Sequence, residues 1–208
     1  MEALAGLSGG IEIISSIIYK INSIIIALTM LTGGISVPST DTRISYAEPD
    51  AKLMAVLWGD TQLCNYNPER EINFVAACDD LQNSATQIDA LLVAGDIVEN
   101  GFQSEYDSLT DDLEKVSKVD NFVMCAGNHD IRIRDYEQST QRYFDFTNNL
   151  NPKDKAIDNI WFEYEVDDYS FLVLGSDEMR FEDAYLSDAQ LEWLEERVAA
   201  ISASGKPV

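Results

Sequence analysis

The sequence predicts an α/β domain built on a parallel sheet, and three observations carry that expectation. First, three short apolar runs each end in a glycine followed by an acidic or amide residue: KLMAVLWGDTQ (Lys52 to Gln62), LLVAGDIVENG (Leu91 to Gly101) and NFVMCAGNHD (Asn121 to Asp130). Short apolar runs bounded by glycine fit strands buried on both faces. Second, Asp60 and Asp96 are 36 residues apart and Asp96 and Asn128 are 32 apart, each gap about one strand–helix–strand unit. Third, apolar residues at helical spacing fill those gaps. Three adjacent parallel strands would deliver Asp60, Gln62, Asp96, Asn128 and His129 to one sheet edge, where open α/β sheets place their ligand crevice.

Taken in order, residues 1–47 read as a unit apart. Ile11 to Val37 is rich in Ile and Leu, and Ile21 to Val37 carries no charge. That run is short for a spanning helix and long for a signal-peptide core, so both readings stand, and a breaker-rich spacer follows. Ser45-Tyr46-Ala47 resembles a small-x-small cleavage site, whereas Glu2 and Glu12 sit poorly in a signal peptide. An export signal or anchor is the expectation, with the following domain outside the cytoplasm; a buried N-terminal helix is the competing reading.

Residues 48–208 form the predicted domain. The first strand ends at Asp60. Asn67-Pro68 reads as an N-cap with proline at the first helical position, and Phe74, Ala77, Cys78, Leu81 and Ala85 share a stripe on the helix that follows. A second strand is expected at Ala90 to Ala94, a helix over roughly Ser104 to Lys118, and a third strand at Phe122 to Ala126. The aromatic stretch around Tyr136, Tyr143, Phe144 and Phe146 reads as irregular, a lid or packing patch. Trp161 to Val166 and Tyr169 to Leu174 read as a hairpin turning at Asp167-Asp168. Ser187 and Gln190 form a capping box for a helix expected to bury Leu191, Leu194, Val198 and Ile201, and Gly205 and Pro207 end it.

A formal charge of −23 argues against a nucleic-acid backbone or an acidic membrane surface as partner of this domain. The three cysteines, Cys64, Cys78 and Cys125, have no paired spacing and read as free thiols. Oxygen and amide ligands with one imidazole suit hard divalent metals. Isolated surface aspartates ending three strands by coincidence would be the bland alternative.

GD-x-Q, GDIVENG and GNHD, in that order and at those gaps, resemble the first three motifs of the calcineurin-like metallophosphoesterases. LSDAQLEWLEERV (Leu186 to Val198) is similar to the helix that follows the mid-domain hairpin in that family. The resemblance implies an α/β sandwich carrying two divalent ions (Mn, Fe, Mg or Zn) and a small phosphorylated substrate, a phosphomonoester or phosphodiester. It implies that Asp96 bridges the metals, that Asp60 and Gln62 serve the first, and that Asn128 serves the second. Gln62 stands where most members carry histidine. His129 would contact the phosphate or protonate the leaving oxygen, and Glu99 would orient it, in place of the usual aspartate. The family completes its site with later histidines, including a Gly-His-x-His element, whereas this chain has one histidine in all. The sequence therefore reads as the N-terminal portion of such a domain, either a hydrolase or a non-catalytic remnant. No internal repeat is present.

Overall fold

Alternation along the strands splits the apolar residues between the two faces of one parallel sheet. In the computed structural model, which describes residues 51–84, 86–133, 135–178 and 183–205, β1 (Ala55–Trp58), β2 (Ala90–Val93) and β3 (Phe122–Met124) pair in the order β1-β2-β3. Trp58 lies opposite Val93, and Val93 opposite Met124, so the three strands end level. Leu91, Val93, Phe122 and Met124 face the larger core, with Phe74, Leu81, Leu109, Tyr143 and Phe146 from the helices. Ala90 and Val123 face the other way, onto Tyr164, Val166 and Val173 of a hairpin. The central strand β2 is nearly all buried, as a parallel strand covered on both faces should be. β1, at the edge, is not: Leu57 is 69% exposed.

Helix α1 (Pro68–Gln82) starts as expected, with the Asn67 side chain accepting from the Glu69 N–H at 3.2 Å. Phe74, Cys78 and Leu81 are its buried residues; Ala85 lies outside the described residues. Helix α2 (Gln103–Leu113) is shorter than expected. The chain leaves it at a turn because Val119 must reach Ile88 in a parallel bridge that leads into β3. Its N-terminus is satisfied by buried Glu105, which accepts from the N–H groups of Asn100 and Phe102.

A one-turn helix α3 (Asn128–Ile131) follows β3. Residues 136–150 then correct the expectation of an irregular stretch: they form helix α4 (Tyr136–Leu150), opened by Asp135 accepting from the Gln138 N–H at 2.9 Å. Its buried stripe is Ser139, Thr140, Tyr143, Phe146 and Thr147. Helical spacing is intact there, but small polar residues occupy positions where aliphatic ones would have announced it. A single 3-10 turn (Lys153–Lys155) leads to the hairpin β4 (Phe162–Val166) and β5 (Tyr169–Val173), which turns at Asp167 and Asp168 as expected.

Helix α5 (Asp188–Ser204) is capped by the Ser187 side chain on the Gln190 N–H and ends at Gly205 in the left-handed region (φ 75°). Its buried face differs from the expected one. Leu191 and Val198 are 46% and 40% exposed, whereas Gln190 is wholly buried. Gln190 does not close a capping box; its amide bonds both the N–H and the C=O of Gly175, at 2.8 and 2.9 Å. That pair, with Ile201 and the Arg197–Glu163 ion pair, rotates the helix away from the aliphatic stripe.

The three cysteines are free, and burial pushes the Cys78 and Cys125 thiols up to about 12, so neither is a ready thiolate. Among the described residues no helix is long and apolar enough to cross a membrane. The N-terminal segment expected to export or anchor the chain, residues 1–47, and the chain end at Pro207 lie outside the described residues.

Candidate metal centre

Because the strands end level, the loops after them leave the sheet side by side. The first and second loops are stitched together by the Gln62 N–H to the Asp96 carbonyl (2.8 Å), Leu63 N–H to Ile97 (3.2 Å) and Glu99 N–H to Leu63 (2.9 Å). The third loop closes on the second through the His129 N–H, which donates to Asp96 Oδ1 at 3.0 Å. Gly127 allows that approach: a Cβ there would lie 2.1 Å from Asp96 Oδ1 and 2.3 Å from Asp96 N.

Asp130 locks the second and third loops from beneath. Wholly buried, its carboxylate accepts from the N–H groups of Val98 (3.0 Å), Ile97 (3.2 Å) and Gly127 (2.8 Å). Burial pushes this carboxyl up to about 7, against the three backbone donors. Every close partner is a donor, which suits the ionised form.

The backbone at the candidate ligands is unusual. Asp60, Gln62 and Asp96 have φ of 34°, 39° and 48°; among the described non-glycine residues only Asp167, in the hairpin turn, joins them. Left-handed backbone is uncommon outside glycine and costs of order 1–3 kcal/mol per residue, persisting where the surroundings impose it and clustering at functional sites. Here the surroundings are the loop-to-loop hydrogen bonds.

Of the six residues singled out from sequence, Gln62, Asp96, Glu99 and His129 are in direct mutual contact, in part through their main chains. Asn128 sits next to His129 at the start of α3. Asp60 is exposed and lines an open groove of about 490 Å³ with Trp58, Thr61, Arg70 and Asn73. Among the described residues, the side chains of Asp60, Gln62 and Asn128 take no protein hydrogen bond, which leaves their oxygens available to a ligand.

Glu99 meets His129 in an unexpected way. The His129 Nδ1 lies 2.8 Å from the Glu99 main-chain carbonyl, but 3.5 Å from the carboxylate Oε1. A carbonyl only accepts, so Nδ1 carries the proton and Nε2 is the ring's acceptor. The Glu99 carboxylate goes instead to two arginines: Arg70, paired with Oε2, and Arg132, 3.2 Å from Oε1. Burial opposes ionisation of Glu99, but Arg70, with help from His129 and Arg132, holds its carboxyl below the usual glutamate range. Arg70 also donates to the Gln62 carbonyl (2.7 Å), and Arg132 to the Asn100 side chain (3.0 Å), with one guanidinium nitrogen 3.4 Å from His129 Nε2.

Arg70, Arg132 and the locking role of Asp130 were missed from sequence. Asp130 stands in the GNHD motif and could have been suspected. The arginines sit on α1 and just past α3, 29 and 33 residues from Glu99, with no local signal marking them.

The donor set tests the implied metals. Asp60, Gln62, Asp96 and Asn128 present oxygen ligands only, two anionic and two neutral, which suits hard divalent cations such as Mn²⁺ or Mg²⁺. Among the described residues no three His, Cys, Asp or Glu side chains gather as a metal cluster. The residues present therefore fit part of a coordination shell.

The calcineurin-like phosphoesterase (Metallophos) family profile matches residues 56–207, and the chain belongs to that family. Comparison with curated proteins gives no match. The family is one of metal-dependent phosphoesterases that typically bind two metal ions.

Proposed function

We propose that the chain hydrolyses a phosphoric ester, mono- or diester, at a two-metal site on the C-terminal edge of its parallel sheet. The observation that carries this reading is the left-handed backbone at Asp60, Gln62 and Asp96, strain gathered where family membership leads one to look for ligands. Asp96 would bridge two cations, with Asp60 and Gln62 on one and Asn128 on the other. Bound there, such cations polarise a phosphoryl oxygen and lower the pKa of a bound water.

The protein's own groups prepare that chemistry. Asp96 Oδ1 is fixed by the His129 N–H, so its orientation is set before any ligand arrives. Neutral amides at Gln62 and Asn128 add ligand oxygens without adding negative charge beside an anionic substrate. His129, with its Nδ1–H donated to the Glu99 carbonyl, has Nε2 left to donate, when protonated, to a phosphoryl or leaving oxygen. The apolar stretch before residue 48 supports an export signal or membrane anchor, which would put the domain outside the cytoplasm.

A second reading, a phosphoesterase-fold module without turnover, is favoured by one observation: no third His, Cys, Asp or Glu joins a cluster among the described residues. One experiment separates the two. Mn²⁺ uptake by calorimetry and turnover of a bis-aryl phosphate are measured on the folded chain and on Asp96→Asn. Uptake and turnover, both lost in the variant, are expected. No turnover of the folded chain under Mn²⁺, Mg²⁺, Fe²⁺ or Zn²⁺ selects the module, and no uptake of any divalent ion sinks the two-metal reading.

A further inference from the structure

We propose that Arg132 and Arg70 are positioning residues for His129, acting through Glu99: together they clamp its carboxylate so that its main-chain carbonyl, rather than the carboxylate, takes the imidazole Nδ1–H. Four observations converge on this. The Nδ1-to-carbonyl distance is 2.8 Å, against 3.5 Å to Oε1. Both carboxylate oxygens are engaged by guanidinium groups, Oε2 by Arg70 and Oε1 by Arg132. Each arginine is tied at a second point: Arg70 to the Gln62 carbonyl and Arg132 to the Asn100 side chain. The Glu99 N–H is held by the Leu63 carbonyl at 2.9 Å, so the peptide on one side of Glu99 is fixed as well.

The geometry has a chemical consequence. A free neutral imidazole in water prefers the proton on Nε2, whereas the Glu99 carbonyl selects the opposite tautomer. A carboxylate turned onto Nδ1 would select the same tautomer, through a stronger, charge-assisted hydrogen bond. With Glu99 spent on two arginines, and Arg132 itself 3.4 Å from Nε2, the ring is oriented by a neutral acceptor and faces a fixed positive charge. Arg132 thus touches both sides of the relay, Glu99 and the ring, as a planar fork can and a lysine cannot. The catalytic meaning of this rests on the phosphoesterase reading above; the tautomer itself does not.

The chain contains a single histidine, so a ¹⁵N spectrum of histidine-labelled protein reports one imidazole without assignment. It is recorded on metal-free protein about two pH units above the ordinary histidine pKa of about 6.5. The wild type is expected to show the proton on Nδ1. Arg132→Met frees Glu99 Oε1, 3.5 Å from Nδ1, to take the Nδ1–H in place of the carbonyl. The proton should stay on Nδ1 while its ¹H resonance in the ¹H–¹⁵N spectrum moves downfield, as for a charge-assisted hydrogen bond, and Arg132→Lys should stay closer to wild type. Arg70 sits on the surface of α1 with its side chain 35% exposed, so Arg70→Met serves if Arg132→Met does not fold, and should move the Nδ1–H resonance the same way by less. A wild-type ring protonated on Nε2 overturns the proposal. So does a wild-type spectrum in folded Arg132→Met, or in Arg70→Met if only that variant folds. Because neither metal nor substrate is present, absence of turnover would leave the result standing, and an Nε2–H ring would leave Asp60 and Asp96 as ligands untouched.

Discussion

Replacing Gly127 with alanine isolates one contact that the site depends on. Gly127 has φ −85° and ψ −179°, extended backbone open to any residue. Judged on dihedrals alone, Gly127→Ala should stabilise the fold by about 0.4–1 kcal/mol through the unfolded chain. The new Cβ, however, would lie 2.1 Å from Asp96 Oδ1, 2.3 Å from Asp96 N and 2.8 Å from Asp96 Cγ. Rotating the Asp96 side chain can relieve the first and third contacts, but not the second, which is backbone. The loops must therefore part, at an overpacking cost of about 1–3 kcal/mol. Parting them also strains the His129 N–H bond to the Asp96 carboxylate, of a kind worth about 1.5–3 kcal/mol. A net loss on the order of 2–5 kcal/mol is expected. Urea unfolding measures it as a lower midpoint at unchanged slope. A variant as stable as the wild type, or more so, would refute the account of how the third loop seats on Asp96.

Asp130→Ala leaves three N–H groups without this acceptor, two of them buried, at about 1–3 kcal/mol for each buried one; thermal denaturation should show a large drop or no folded protein, and an unchanged midpoint would contradict the locking role. Gln190→Ala removes both partners of the Gly175 peptide groups and should cost about 2–4 kcal/mol by denaturant titration, far more than Leu191→Ala on the exposed face. For Glu99 the folded carboxyl lies below its ordinary 4.5, so its contribution to stability is complete above 4.5 and is lost as pH falls through the folded value. The stability gap between wild type and Arg70→Met should therefore shrink on acidification across that window, and a gap that widens would reverse the assignment.

Much of the scaffold was legible because its signals are local. The Asn67-Pro68 and Ser187 caps, the Asp167-Asp168 hairpin and the three glycine-ended strands are each written in a few consecutive residues. Where a local signal was diluted, the expectation failed. In α4 serine and threonine occupy the buried stripe, and in α5 the aliphatic stripe is less well paired than Gln190. A buried amide satisfied at both ends outweighed exposed leucine and valine because leaving peptide groups unpaired in the core costs more than leaving two aliphatic side chains in water.

By itself the sequence determined the family, that its three motif-bearing strands are adjacent and parallel, and which residues follow those strands. Chain periodicity and turn chemistry suffice for that. Only the tertiary structure decided the left-handed backbone at Asp60, Gln62 and Asp96, the buried Asp130 beneath the loops, and the diversion of the Glu99 carboxylate from His129 to Arg70 and Arg132. Each depends on which loops lie side by side, and that follows from strand register and helix packing across about thirty residues of chain, distances over which a sequence pattern carries no direction.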